Sequence, residues 1–428
     1  METIKVKTKE GELRGEKAGE IMIFRGIPYA EAPVGSMRFA APASRKAWMG
    51  VKDALSFGSM CPQKDPREGF SGKEFYDGLD SEKLKMDEDC LHLNVWAPID
   101  GENHPVAVWF HGGSFERCAS FEKEMDGTAF ARAGIVFVSV NYRVGVFGFM
   151  ADPFLAKENP HGSTGNYGLM DQIEALKWVH RNIVAFHGNP ERVTVMGQSA
   201  GAMSVQALIT SPLTTGLISQ AVMQSGGGFF HGHGPTYFQD QAYAVGRKVL
   251  ELCHVKTVDQ LRLLPAENLV AILPALHEEF GELPFRPMVD GYVLKETMDE
   301  ACEKGDVPDI PYMLGLTGND ILVMPGQSGR NSMFANGCRD FADVCKDHWN
   351  HVYLYYFDRK LPGDEAGAFH GSELWYVFRT LDRSWRPMTA HDYQLSRNMS
   401  EAWQQFIIDG DPGWKAYTRE SDFIRTWM

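Results

Sequence analysis

The chain has 428 residues and a formal net charge of −14, from 42 Lys and Arg against 56 Asp and Glu. That balance, without a basic patch, lacks the clustered cations on which binding to nucleic acid or to an anionic membrane surface depends. A hydrophobic share of 44%, a charged share of 23% and 43 glycines describe a loop-rich globular protein with a sizeable core, and not a disordered, fibrous or membrane chain. No run of about 18 apolar residues is present, so no membrane insertion is expected. The opening METIKVKTKEGELRGEK has no apolar signal-peptide region, and a cytoplasmic location is expected; a signal removed before this numbering begins would leave the same text. The seven cysteines, at 61, 90, 118, 253, 302, 338 and 345, are irregularly spaced and form no CxxC pair, which fits neither a disulfide framework nor a zinc ribbon.

Within residues 3–25, TIKVKT, GELRGE and IMIFRG alternate and predict an antiparallel hairpin or meander. Residues 26–42, rich in Pro and Gly, predict a surface-hugging loop, and 60–88 show no clear periodicity. LHLNVWAP (91–98), HPVAVWF (104–110), GIVFVSVNY (134–142) and RVTVMG (192–197) predict strands, and their continuous apolar character suits a sheet covered on both faces. GLMDQIEALKWVHRNIVAF (168–186) has helical spacing between the last two, which makes a parallel crossover. A helix through AGAMSVQALIT and a strand QAVMQSG (220–226) follow. Residues 236–278 read as mostly helical, with TVDQLRLLPAENLVAILPAL giving two short helices broken at prolines. IPYMLGL (310–316) and HVYLYYF (351–357) are the last convincing strands. SELWYVFRTL (372–381) and NMSEAWQQFIIDG (398–410) predict helices, the latter ended by Gly410 and Pro412. Without repeats or a flexible linker, residues 1–428 read as one α/β domain with a mostly parallel, doubly covered sheet.

The order strand, Gly197-Gln198-Ser199-Ala200-Gly201, helix is the context of a nucleophile elbow. The glycines clear space where the chain reverses, and the turn lifts the serine hydroxyl above the sheet. A chain this long shows a GxSxG by chance with a probability of roughly 0.2, and a serine at that place can simply cap the helix. A neutral hydroxyl also needs a base to take its proton and donors to hold the oxyanion.

Directly after the strand VAVWF stands FHGGSF (110–115), whose small residues leave backbone N–H groups free above the sheet. With the amide after the nucleophile they make an oxyanion hole, and the candidate donors are Gly113, Ser114 and Ala200. GxGxxG is absent, which withdraws support from a dinucleotide fold. An acid and a histidine follow in chain order: Asp320 after IPYMLGL, and His370 in the glycine-rich loop after HVYLYYF. Both sit at carboxyl-terminal strand ends, where an open sheet keeps its chemistry. Fourteen histidines compete for the role of base, and spacing alone does not select His370 or Asp320.

These segments resemble the type-B carboxylesterases, relatives of the cholinesterases. FRGIPYAEAPVGSMRF (24–39), EDCLHLNVW (88–96), HGGSF (111–115) and NYRVGVFGF (141–149) fall in the family's order, as do GNYGLMDQIEALKWVHRNIVAFHGNPERVTVMGQSAGAMS (165–204), FRPMVDG (285–291), PYMLGLTGND (311–320) and GAFHGSELWYVF (367–378). The resemblance spans most of the chain. It implies an α/β-hydrolase fold, a serine hydrolase cleaving small-molecule carboxylic esters with water through an acyl-enzyme, and a triad of Ser199, Asp320 and His370, with Asp364 and Glu365 as reserve acids. No cofactor is implied.

Departures from the family pattern are Asp320 in place of the usual glutamate, Ser114 in place of a glycine of the oxyanion loop, His187 in place of a second glycine, and Gln198 in place of the glutamate before the nucleophile. The resemblance also places Cys61 and Cys90 at the first disulfide of secreted members; closing that loop of about 28 residues would be worth roughly 3 to 4 kcal/mol. In a reducing cytoplasm the pair stays as thiols. The chain is shorter than family members in the pocket-forming segments, about 230–280 and 321–350, so the cap or lid is expected to be short and the site wide unless Phe229, Phe230 or Trp349 narrows it. Phe229 and Phe230 are the candidate substrate-binding residues. A metal site at His231 and His233, with His254 or His277, matches no strong ligand spacing, and none is expected. The readings against an esterase are a non-catalytic binding protein on the same fold and a shortened member with an inactive site.

Overall fold

The Val-, Ile- and Phe-rich runs form the inner strands of a twelve-stranded sheet. The structure, a computed structural model, describes all residues except 1, 80–83, 233, 322, 325 and 346–350. The strands among them are β1 (Glu2–Lys7), β2 (Glu12–Ala18), β3 (Ile21–Pro28), β4 (Val51–Asp53), β5 (His92–Pro98), β6 (His104–Phe110), β7 (Val136–Val140), β8 (Gly188–Gln198), β9 (Gln220–Gln224), β10 (Tyr312–Thr317), β11 (Val352–Phe357) and β12 (Arg425–Trp427). They lie in the order β1-β2-β3-β5-β7-β6-β8-β9-β10-β11-β12, with β4 on β2. Along this path the strands from β1 to β7 pair antiparallel, while β4 lies parallel to β2. From β7 to β12 the sheet is parallel throughout.

Period-two alternation explains why both faces are buried. In β6, Val106, Val108 and Phe110 join one core with Val136, Val138, Val140, Val193 and Val195. Ala107 and Trp109 join the other with Phe137, Met196 and Trp403. The Tyr167–Asn182 and Ala200–Thr210 helices fill the first face. The Ala390–Asp409 helix covers the second, where Trp403 meets Tyr355 edge-on at 4.8 Å. This is the mostly parallel sheet flanked by helices of an α/β-hydrolase, and the carboxyl-terminal ends of β6, β8, β10 and β11 open on one side.

Several boundaries differ from the sequence reading. The helical connection between β7 and β8 passes over β6, which pairs with both, so these two strands are parallel without being neighbours. The region read as two helices forms three, Val258–Arg262, Ala266–Ala271 and Leu273–Phe280, because Pro274 is accommodated in the first turn of the last one, where no N–H is required. The final helix starts eight residues earlier than its apolar pattern, at a capping box of Thr389 and Asp392, and ends as expected at Gly410 with φ 75°. Two three-residue strands, β4 and β12, carry too little pattern to be foreseen.

Candidate active site

Ser199 sits between the last residue of β8 and the first residue of the Ala200–Thr210 helix with φ 58° and ψ −128°, a strained conformation for a residue with a side chain. The neighbouring glycines make it possible. A Cβ at Gly197 would stand 2.4 Å from the Gly201 carbonyl carbon, and one at Gly201 would stand 2.1 Å from the Phe110 oxygen. The Ser199 N–H donates to the Gln224 carbonyl at the end of β9 (2.8 Å). Although Ser199 occupies the N-cap position, its side chain makes no cap hydrogen bond, so the capping alternative is not its use.

Asp320 and His370 are brought together by two loops that are stapled to each other. Asn319 donates its N–H to the Ala368 carbonyl (2.8 Å) and accepts the Ala368 N–H on Oδ1 (3.0 Å). Gly367, at φ 72°, has no Cβ because one would lie 2.2 Å from that Oδ1. Asp320 accepts from Thr317 N–H on Oδ2 (3.0 Å), and on Oδ1 from Ile321 N–H (2.8 Å) and His370 Nδ1 (2.5 Å). Burial works against the Asp320 charge, but the His370 cation and these donors hold its pKa below the ordinary value. Burial likewise opposes the imidazolium, yet the Asp320 carboxylate prevails and raises the His370 pKa. The other ring nitrogen, Nε2, lies 3.1 Å from the side-chain amide nitrogen of Gln198. Of the reserve acids, Asp364 pairs with Arg386 (2.8 Å) and Glu365 is exposed.

The HGGSF loop lies against the elbow: a Cβ at Gly112 would approach Gln198 O to 2.8 Å and Ser199 Cβ to 3.1 Å. Gly113 has φ 93°, and Ser114 and Phe115 each have φ 58°, left-handed positions that turn the successive amides outward. Among the described residues neither Gly113 nor Ser114 N–H meets a protein acceptor. Ala200, first in its helix, has no intrahelical acceptor either. Beneath them His111 stacks on Tyr142 at 4.3 Å, the Tyr142 hydroxyl donates to the His111 carbonyl (2.8 Å), and desolvation lowers the His111 pKa to about 4, so this imidazole stays neutral.

Phe229 and Phe230 follow β9 and are buried against the Met333–Val344 helix. Phe229 N–H donates to Gly337 O (3.0 Å), and the Phe230 ring meets Phe334 edge-on at 6.4 Å. Trp349 and His233 lie outside the described residues. His231 pairs with Asp340 (2.9 Å) and His277 with Glu116 (3.0 Å), so these two histidines of the metal alternative answer to different carboxyl groups. Cys61 and Cys90 are both buried and unbridged.

Two buried carboxyls near the site escaped the sequence reading because neither has a motif of its own. Glu373, three residues beyond His370, accepts from Gln224 (3.2 Å), and desolvation with the nearby Asp320 charge pushes its pKa to about 7. Glu116, next to Phe115, is pushed to about 8 by burial.

A serine in a strained elbow, a histidine bonded to an aspartate and a loop of free amides, all at carboxyl-terminal ends of parallel strands, define a serine hydrolase of the α/β-hydrolase fold. The profile of the carboxylesterase family matches residues 2–331 and 326–423, and the chain belongs to that family. It is similar to para-nitrobenzyl esterase of Bacillus subtilis (strain 168), 32% identical over 474 aligned positions that cover 97% of this chain and 93% of that protein. It is also similar to fumonisin B1 esterase of Sphingopyxis macrogoltabida, 32% identical with 97% of this chain and 85% of that protein covered. Among solved structures, a PNB esterase superposes with a TM-score of 0.87 at 31% identity, covering 99% of this chain and 95% of that one. A carboxylesterase of Geobacillus stearothermophilus gives 0.82 at 30% identity, covering 99% of this chain and 96% of its own. The chain is therefore an ester-cleaving serine hydrolase. The family match restarts at 326, inside the segment expected to be short.

Proposed function

We propose that ester hydrolysis runs through an acyl-enzyme on Ser199, with His370 as general base and Asp320 as its partner. The observation that carries the reading is the bond from His370 Nδ1 to Asp320 at 2.5 Å, which fixes the tautomer whose Nε2 lone pair can take a proton. His370 removes the Ser199 proton, the oxygen attacks the ester carbonyl, and the amides of Gly113, Ser114 and Ala200 receive the oxyanion. The protonated His370 then gives its proton to the leaving alcohol and activates water against the acyl-enzyme. Loss of one such amide donor costs on the order of 3 kcal/mol in the transition state. Phe229 and Phe230 are the proposed lining of the acyl side; Gly226, three residues before Phe229, packs against the elbow, where a Cβ would stand 2.3 Å from Ser199 O. The substrate class is a small-molecule carboxylic ester.

The test is the initial rate on p-nitrophenyl esters from acetate to octanoate, with mass spectrometry of protein quenched during turnover. An acyl mass on the peptide containing Ser199 supports the reading, and an adduct elsewhere overturns it. The chain-length profile sizes the acyl pocket.

Activity requires neutral His370. Because the folded protein raises the pKa of this group, kcat/KM is expected to climb with pH through a midpoint above the ordinary histidine value of about 6.5. A pH–rate profile at fixed ionic strength checks this, and a midpoint at or below that value contradicts it.

A further inference from the structure

We propose that Gln198 is a positioning residue for the general base: its side-chain amide holds the neutral imidazole of His370 through Nε2 and so sets the acidity at which the base becomes available. The inference rests on the assignment of Ser199 and His370 above. Because Nδ1 donates its proton to Asp320, the neutral ring has only a lone pair at Nε2, and only an N–H can face it. The Gln198 amide nitrogen occupies that place at 3.1 Å.

The amide lies between two glycines of the flanking loops. A Cβ at Gly112 of the oxyanion loop would lie 3.2 Å from Gln198 Oε1, and one at Gly371 would lie 3.5 Å from Nε2. Gln198 is buried, and its backbone is the last residue of β8. Its side chain thus bridges the oxyanion loop and the base. In this orientation it donates to the neutral ring and meets the protonated one donor to donor. A glutamate in the same place can only accept, and would stabilise the imidazolium alone.

The charged groups facing His370 are Asp320 beyond β10, Glu373 on its own segment and Arg117 beyond β6. Asp320 and Glu373 favour the cation and Arg117 opposes it. The elbow contributes no charge, and Gln198 is its answer to the acidic side: an uncharged donor that favours the neutral base.

The test compares the wild type with Gln198→Glu and Gln198→Met in the pH dependence of kcat/KM for p-nitrophenyl acetate. In Gln198→Glu the acid limb is expected to move up by at least about one pH unit, with the rate at pH 6 falling about tenfold and recovering at alkaline pH. Gln198→Met keeps the length but removes the donor to Nε2, and is expected to move the limb up by a smaller step of about half a unit. A limb unmoved in Gln198→Met or in Gln198→Glu overturns the role of Gln198. Where a variant leaves no measurable rate, NMR titration of the His370 ring in Ser199→Ala, with and without Gln198→Met, decides: a raised midpoint supports the proposal, and an unmoved one overturns it. A wild-type rate that survives Ser199→Ala would overturn the catalytic assignment as well, whereas an unmoved limb with a Ser199-dependent rate overturns only the role of Gln198.

Discussion

Ser199→Ala is expected to lower kcat by on the order of 10⁶ and Asp320→Asn by on the order of 10⁴, both as folded proteins. The two losses differ in kind. Without Ser199 no acyl-enzyme forms, and only the oxyanion amides and binding remain. Asp320→Asn keeps the shape and fails through the direction of its hydrogen bonds. Both oxygens of Asp320 accept: Oδ2 from Thr317 N–H, and Oδ1 from Ile321 N–H and His370 Nδ1. An asparagine must present NH₂ on one side. Facing Thr317, it sets donor against donor in a buried place; facing His370, it makes Nδ1 the acceptor and moves the ring proton to Nε2. That tautomer cannot take the serine proton. Stopped-flow rates on p-nitrophenyl acetate, with circular dichroism to confirm the fold, check both values. A decrease of less than tenfold in Asp320→Asn would show that the carboxylate does not hold the base.

How much of this was legible in the sequence follows from how local each feature is. The elbow is readable because its constraint is local: Gly197 and Gly201 are required by contacts of 2.4 and 2.1 Å, and a strand and a helix on either side announce the turn. The alternating cores of β6 and β7 are readable for the same reason. The choice of Asp320 and His370 among many acids and histidines was not readable from spacing, and came only with the family resemblance. What joins them is Asn319 clasping Ala368 across 49 residues of chain, a pairing with no periodicity. The order of β7, β6 and β8 was hidden because a crossover helix fixes the direction of the next strand and not its neighbour. Gln198 stood in the sequence as a departure from the family, but its meaning depended on where the His370 loop comes down. Glu116 and Glu373 look like ordinary charged residues; burial by distant segments is what pushes them to about 8 and about 7.

These two carboxyls tie stability to pH. Their folded pKa values are raised above the ordinary carboxyl range, so their contribution is present at pH values below about 4.5 and is lost as pH rises through about 7 to 8. The active base asks for the opposite, since His370 must be neutral. The working range therefore lies where activity is still rising and this part of stability is already falling.

Asp171→Ala is expected to destabilise the fold by about 3 to 5 kcal/mol, although Asp171 touches none of the proposed catalytic groups. Its carboxylate accepts three donors from Arg143: the backbone N–H (3.0 Å), Nε (2.8 Å) and Nη2 (2.7 Å). Both side chains are buried, at 2% and 0% exposure, and Arg143 Nη1 has no hydrogen-bond partner among the described residues. Removing the acid leaves a buried guanidinium with no counter-charge and an orphaned backbone donor. The effect reaches the site through the chain on either side of Arg143. Tyr142 holds His111 O (2.8 Å), and Gly145 N–H holds Phe115 O (2.6 Å), so this segment clamps both ends of the oxyanion loop. A lowered urea midpoint and a shorter half-life of activity at raised temperature are the expected readings, with kcat reduced more than KM is raised. The double variant Arg143→Met with Asp171→Leu removes both charges at similar volume and is expected to recover most of the stability, because the penalty lies in the unpaired charge and not in the missing pair. If the double variant is no more stable than Asp171→Ala, the segment needs the hydrogen bonds themselves, and the clamp on the oxyanion loop depends on Asp171 directly.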